Sequence, residues 1–206
     1  MGRMEPRLDP KARFVEDTAN HQMAVLLDQG LYRHLRFKAP GTSFEWFEIV
    51  TVPGLLTING DMGTFSFSRL DDMFHFFKRA DGGINADYWT EKCKASSEPV
   101  REYSPAIFKQ VLTEAASDLL EDEDEATRDA ALAELQQSVL RHADAGEEEA
   151  RAALDGFEND ALGFTDTWEY DFRGYTFRYL WCLHAIVHGI NQYTAQVRKP
   201  ELAAAA

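Results

Sequence analysis

Apolar positions along this chain follow two periods. Over residues 10–29 they recur at helical spacing, with Phe14, Thr18, His21 and Val25 on one face. Asp9 before Pro10 is an N-cap with proline at the first helical position, and Gly30 is a stop, so the spacing predicts a helix over 10–29. From residue 31 the period drops to two. Leu35 and Phe37 share one face and His34, Arg36 and Lys38 the other, until Pro40-Gly41 ends the run. The aromatic and β-branched stretch 44–52 is turned by Pro53-Gly54, and segments 55–59 and 64–68 flank Gly60-Asp61-Met62-Gly63. Together these predict an antiparallel meander of four strands.

Helical spacing returns after Ser68. Leu70, Met73, Phe74 and Phe77 line one face of a helix expected over 69–79, capped by Ser68 with Asp71 at its third position. Segment 80–104 is broken by Gly82-Gly83 and Pro99 and reads as irregular, with Tyr88 and Trp89 as anchors. Ser104-Pro105 restarts a helix with Ile107, Phe108, Val111 and Leu112 as its stripe. Leu132, Leu135 and Val139 form a second stripe and Ala150, Ala153, Leu154 and Phe157 a third, with Gly146 between them. Residues 105–158 therefore read as two or three helices with narrow apolar faces and broad solvated ones. Alternation of Phe164, Trp168, Tyr170 and Phe172 with polar residues predicts a short strand over 164–172. Residues 174–195 are apolar almost all round, which marks a helix at the centre of the fold.

Charge changes this picture most. Residues 113–171 hold 19 Asp and Glu against Arg128, Arg141 and Arg151, a local net of −16 in a chain whose total is −14. Such a surface repels nucleic acid and membranes and attracts basic protein grooves. With 206 residues, 45% hydrophobic and 12% aromatic, the chain has a core's worth of apolar side chains, and one domain with a helical appendage is expected. Two cysteines, Cys93 and Cys182, are too few for a disulfide scaffold and suit a reducing cytoplasm. The first residues contain no apolar leader-like stretch and no run suits a membrane span, so a soluble cytoplasmic protein is expected. The terminal LAAAA reads as a disordered tail over 201–206.

Two blocks, GDMGTFSFSRLDDMFHFF at 60–77 and WEYDFRGYTFRYLWCLHAIVHGINQY at 168–193, cover roughly a quarter of the chain. They resemble a family of uncharacterised proteins of bacteriophage and prophage genomes. The resemblance implies a context, a phage-encoded protein acting in the cytoplasm of a bacterial host. It carries no activity and no catalytic residue.

Candidate chemistry is sparse. His184 and His188 stand four apart, a spacing that suits chelation of a divalent ion, but Ala185 occupies the position where a metalloprotease helix has Glu, and a third ligand such as His75 or Glu169 has to come from elsewhere. Buried, hydrogen-bonded histidines are the alternative. Gly60-Asp61-Met62-Gly63 joins two predicted strands and so reads as a hairpin turn rather than a phosphate loop. Asp71 and Asp72 fall in a first helical turn, where acids favour the dipole without any catalytic role. His34, Arg36 and Lys38, with Arg33, form a small basic strand face that suits either RNA or DNA contact or ion pairing.

These readings predict an α+β fold: an antiparallel four-stranded meander packed against helices, an acidic helical segment and a buried C-terminal helix. The expected segments are a 1–112 core, a 113–160 acidic helical stretch, a strand and helix over 161–200 completing the core, and the tail. The leading functional expectation is a non-enzymatic, phage-encoded inhibitor that needs no cofactor or metal. It binds a basic host protein or ribonucleoprotein complex of the CRISPR or restriction kind through Glu114, Asp118, Glu121, Asp122, Glu123, Asp124, Glu125, Asp129, Glu134, Glu147, Glu148 and Glu149. An ordered array of carboxylates imitates the phosphates of a duplex, which carries one charge per about 1.7 Å of axis. Direct binding to nucleic acid or membrane is not expected. The alternatives are a phage accessory or assembly protein that self-associates, as a homodimer for instance, with its acids serving solubility, and a small metal-dependent enzyme using His184 and His188.

Overall fold

The computed structural model describes residues 9–204, and the side chains of residues 9–196. In chain order the elements are α1 (Pro10–Thr18), β1 (Gln22–Gln29), β2 (Tyr32–Lys38), β3 (Phe47–Val52), β4 (Leu55–Gly60), β5 (Gly63–Phe67), α2 (Met73–Phe77), α3 (Ala86–Thr90), β6 (Cys93–Ser96), β7 (Arg101–Tyr103), α4 (Pro105–Leu119), α5 (Glu125–Ser138), α6 (Glu147–Asp155), β8 (Arg173–Tyr175) and α7 (Phe177–Ala204). Short 3-10 helices occupy Leu140–Ala145 and Thr167–Glu169. The α+β class agrees with the sequence pattern. The chain forms two compact units rather than one domain with an appendage: one runs to Val100 and resumes at Tyr175, and the other is Arg101–Gly174.

The first unit is built on a six-stranded antiparallel sheet in the order β1 to β6. Alternate residues of β2 to β5, namely Leu35, Phe37, Phe47, Ile49, Leu56, Ile58, Phe65 and Phe67, are at most 1% exposed and form the core with Phe14 of α1, Met73, Phe74 and Phe77 of α2, Trp89 and the inner face of α7. Burial of these large side chains, each worth about 1.5–3 kcal/mol, dominates the stability of the unit.

Four expectations are corrected here. The helix predicted over 10–29 ends at Thr18, whose hydroxyl donates back to the Phe14 carbonyl at 2.7 Å. Residues 22–29 instead pair with β2 from Gln22↔Lys38 to Gln29↔Tyr32, across a turn in which Gly30 takes φ +65°. Val25, Leu26 and Leu27 are consecutive and all exposed, which fits an edge strand and gives no helical stripe. Second, the sheet has six strands, not four. Besides β1, segment 93–96 pairs with β5 (Phe65↔Ser96, Phe67↔Cys93) and shows no alternation because it is an exposed edge. Third, the helix predicted over 69–79 is only Met73–Phe77, capped by Asp72 rather than Ser68, with Asp72 Oδ1 accepting from the Phe74 amide at 3.0 Å. The preceding backbone is held outside a helix, with Ser68 N–H donating to the Lys92 carbonyl and the Asp71 carbonyl accepting from Gly54 N–H. Fourth, α7 extends to Ala204, beyond the predicted end at 195, so the expected tail lies partly within this helix and partly, at 205–206, outside the described residues.

Gly60-Asp61-Met62-Gly63 is the expected hairpin turn, with Gly60 paired to Gly63. A Cβ on Gly60 would stand 2.3 Å from the Trp46 carbonyl oxygen, so the close approach of the preceding strand requires glycine there.

The second unit has its own core, in which Phe108, Leu112 and Ala116 of α4, Ala131 and Leu135 of α5, Leu154 of α6 and Phe172 are buried together. The expected segmentation is therefore shifted: residues 101–112 and 161–174 belong to the acidic unit and not to the sheet-based core. The predicted strand over 164–172 is absent. That stretch is irregular around the Thr167–Glu169 turn, Trp168 is 75% exposed, and the ladder is confined to β8, which pairs with β7.

Candidate protein-binding surface

Charge divides along the boundary between the units. Arg101–Gly174 carries 20 Asp and Glu against six Lys and Arg, a net of −14, and the remainder of the chain carries 15 of each. Of the 19 acids between 113 and 171, all are exposed except Glu147, which is half-buried. The unit's cations are largely engaged within it. Lys109 pairs with Asp144 at 2.6 Å, Arg101 with Asp171 at 3.4 Å, and Arg151 and Arg173 both reach Glu147, at 3.2 and 3.1 Å. Burial, together with the nearby Asp144 and Glu147, pushes the Tyr103 hydroxyl up to about 12, where it donates to the Ala143 carbonyl at 3.0 Å.

Local folding explains part of this array. Asp124 caps α5: its Oδ1 accepts from the Ala126 and Thr127 amides at 3.0 and 3.1 Å, and its Oδ2 from the Thr127 hydroxyl at 2.8 Å. The Thr127 bonds are the main reason its carboxyl is held below the usual carboxylate range. Glu125 lies in the first turn of α5, and Glu147, Glu148 and Glu149 in that of α6, where the helix dipole favours acids. Asp118, Glu121, Asp122 and Glu123 are different. Asp118 stands in the last turn of α4, and the other three stand in the short link to the Asp124 cap of α5, between one helix end that disfavours acids and another that favours them. A single arginine holds this end together. Arg128 donates to the Leu120 carbonyl at 3.3 and 3.2 Å, to that of Glu121 at 3.1 Å and to that of Glu123 at 3.0 Å.

An open groove runs over the α5 and α6 side of this unit. One part, of about 750 Å³, is lined by Ala130, Glu134, Phe157, Asp160 and Phe164 among others, and the adjoining part, of about 620 Å³, by Ser138, His142, Glu149, Ala152 and Ala153. Glu134, Phe157 and Glu158 line both parts, and no Lys or Arg lines either. Asn159 shapes the wall: its side-chain amide donates to Glu134 at 2.7 Å while its Oδ1 accepts from the Ala161 and Leu162 amides at 2.9 and 2.8 Å. Of the twelve predicted acids the groove brings together only Glu134 and Glu149. Glu114, with its Gln110 partner at 2.9 Å, Asp118, residues 121–125, Asp129, Glu147 and Glu148 lie outside it. Glu158, Asp160 and the alanine and phenylalanine floor were missed by sequence reasoning. Their signal was Phe157 and Phe164 bracketing a turn-rich stretch, which has no helical or strand period.

The other candidate sites resolve into structural roles. Glu48 takes both His34, at 3.0 Å, and Arg36, and Arg33 pairs with Asp72 at 2.8 Å, so most of the basic strand face is neutralised within its own unit. Burial pushes the Glu48 carboxyl up, but the bonds from His34 and Arg36 outweigh it and the net direction is down. His184 is half-buried and His188 exposed, not both buried as expected, and they line an apolar cleft of about 320 Å³ with Lys11, Phe14, Asn191 and Gln192. Among the described residues no three His, Cys, Asp or Glu come together that suit a metal ion. Cys93 and Cys182 are free thiols, pushed up by burial. No described helix is long and apolar enough to cross a membrane.

No family model, curated protein or solved structure matches this chain.

Proposed function

We propose that this chain is a phage-encoded protein that binds and inhibits a basic, nucleic-acid-handling complex of its bacterial host, of the CRISPR or restriction kind, through the acidic surface of Arg101–Gly174. The observation that carries this reading is that 18 of the 19 acids between 113 and 171 are exposed on a unit with its own packed core, whose cations are largely engaged within it. The origin rests on the resemblance of blocks 60–77 and 168–193. Carboxylates displayed on helices with a packed core beneath them compete for a groove that normally holds phosphates, and such binding weakens with salt. The test is inhibition of DNA cleavage by purified restriction and CRISPR complexes, with binding measured at low and moderate salt. Salt-sensitive inhibition that is lost when residues 121–125 and 147–149 are reversed to lysine supports the proposal. Inhibition of every target unaffected by that reversal overturns it.

A second reading, self-association as an accessory protein, is favoured by the outer face of the sheet. Leu27, Val50, Val52 and Leu55 are 37–40% exposed, on the face opposite Ile49. They belong to the unit in which acids and bases balance, so two copies do not repel there. A dimer indifferent to salt in light scattering, lost on Val50→Lys, is the result that favours it.

A further inference from the structure

We propose that the α5–α6 groove is the seat of a basic amphipathic helix contributed by the partner. The inference rests on the reading above that the partner is basic, and it adds where and in what form the partner docks. Three properties of the groove select the occupant. Its rim holds Glu134, Glu149, Glu158 and Asp160, with no Lys or Arg lining either part, so it takes cations and rejects phosphates. Its lining includes exposed small side chains, Ala130 in one part and Ala152 in the other, beside the half-buried rings of Phe157 and Phe164, which pack against each other with centroids 6.0 Å apart. Small side chains beside larger ones leave room for the ridge of an amphipathic helix, as in other helix-in-groove complexes. Finally, the parts of its wall from α5 and α6 have their amides and carbonyls mostly bonded internally, and in the irregular 157–164 part the Ala161 and Leu162 amides are taken by Asn159. An extended peptide needs a free sheet edge for its own backbone, whereas a helix brings its backbone already satisfied.

The direct test uses the full chain and a fluorescein-labelled synthetic helix of about 18 residues, with Leu and Ala on one face and Lys on the other, followed by fluorescence anisotropy at about 50 and 300 mM NaCl. The expected result is saturable binding that weakens about tenfold across that salt range. Ala130→Trp and Ala152→Trp, both at exposed positions, fill the floor and weaken binding about tenfold, as does Glu158→Lys with Asp160→Lys. Glu91→Lys, at an exposed position of the other unit, changes it less than about threefold. Equal binding by the floor-filled variants overturns the groove as the site. Equal binding of a proline-interrupted peptide of the same composition overturns the helix. The same variants assayed for inhibition of DNA cleavage separate the two proposals. Inhibition that survives Ala130→Trp and fails on reversal of residues 121–125 removes the groove alone. Inhibition indifferent to both sets removes the acidic-surface function itself.

Discussion

Gly189 of α7 lies against Ile49 of β3 so closely that a Cβ at position 189 would stand 2.6 Å from the Ile49 Cδ1 and 3.0 Å from the Phe37 Cζ. Ile49 and Phe37 are 0% and 1% exposed, so neither side chain has solvent to retreat into. Gly189→Ala therefore forces the helix off the sheet by a few tenths of an ångström or more. The expected cost is about 1–3 kcal/mol, typical of overpacking, with Tm falling about 2–4 °C for each kcal/mol in a chain of this size. Thermal unfolding by circular dichroism checks it, and an unchanged Tm contradicts the close approach.

Arg128 gathers the carbonyls of Leu120, Glu121 and Glu123 into one fork, so it satisfies the end of α4 and offsets the acids crowded there. Arg128→Ala is expected to cost about 1.5–3 kcal/mol, the range for hydrogen bonds to a charged group. It also opens 120–124 to protease, which limited proteolysis with mass spectrometry detects. Arg128→Lys restores little of this, because a point ammonium does not span three carbonyls as a planar guanidinium does.

His21 is half-buried and stacks edge-on against Phe47 at 6.1 Å, with neither ring nitrogen given a hydrogen-bond partner. Burial lowers its pKa below 6.5 and His188 adds to the effect, while Asp17 opposes it. The unfolded chain therefore takes up this proton before the folded one does. Stability from this site is full above about pH 6.5 and declines as pH falls through and below that value. Tm measured between about pH 7.5 and 5 should fall with acidification, and His21→Phe should make the fall shallower without loss at pH 7.5. An unchanged slope in that variant assigns the acid sensitivity elsewhere.

Lysine at positions 121 and 123 should separate stability from binding. Cations in the link between α4 and α5 suit the C-terminal end of the first helix and oppose the N-terminal end of the second, so the two effects offset and Tm shifts by no more than about 2 °C. Affinity for a basic partner through this surface drops and its salt dependence flattens. Calorimetric unfolding and titration on the same protein preparation read both effects. A loss of affinity accompanied by a loss of Tm would point to unfolding in place of lost charge.

Elements with a strong local signature were legible before any coordinates. The Asp9-Pro10 cap, the alternation in β2, the Gly60-to-Gly63 turn and the all-round apolar α7 each encode their state within a few residues. The failures share a cause. β1 carries apolar residues compatible with either period, and only pairing with β2 decides between them. β6 is an exposed edge, so its sequence has no buried face to alternate. Residues 68–71 look helical, but the Ser68 amide is drawn off to Lys92 and the Asp71 carbonyl to Gly54. For the site, the exposed acids could be found by counting, because charge is a property of composition. The groove could not, since Glu134, Glu149 and Asp160 come from three different segments.

By itself, then, the sequence determined the α+β class, the main helices of the acidic region and the concentration of negative charge, all of which follow from residue type and short-range spacing. Tertiary structure alone decided that the chain divides at Val100 and Gly174 into a neutral unit and an acidic one, that the sheet has six strands, and that four acids share one alanine-floored groove. Each of those depends on backbone pairing or side-chain packing between residues far apart in sequence, whose energy no local pattern records.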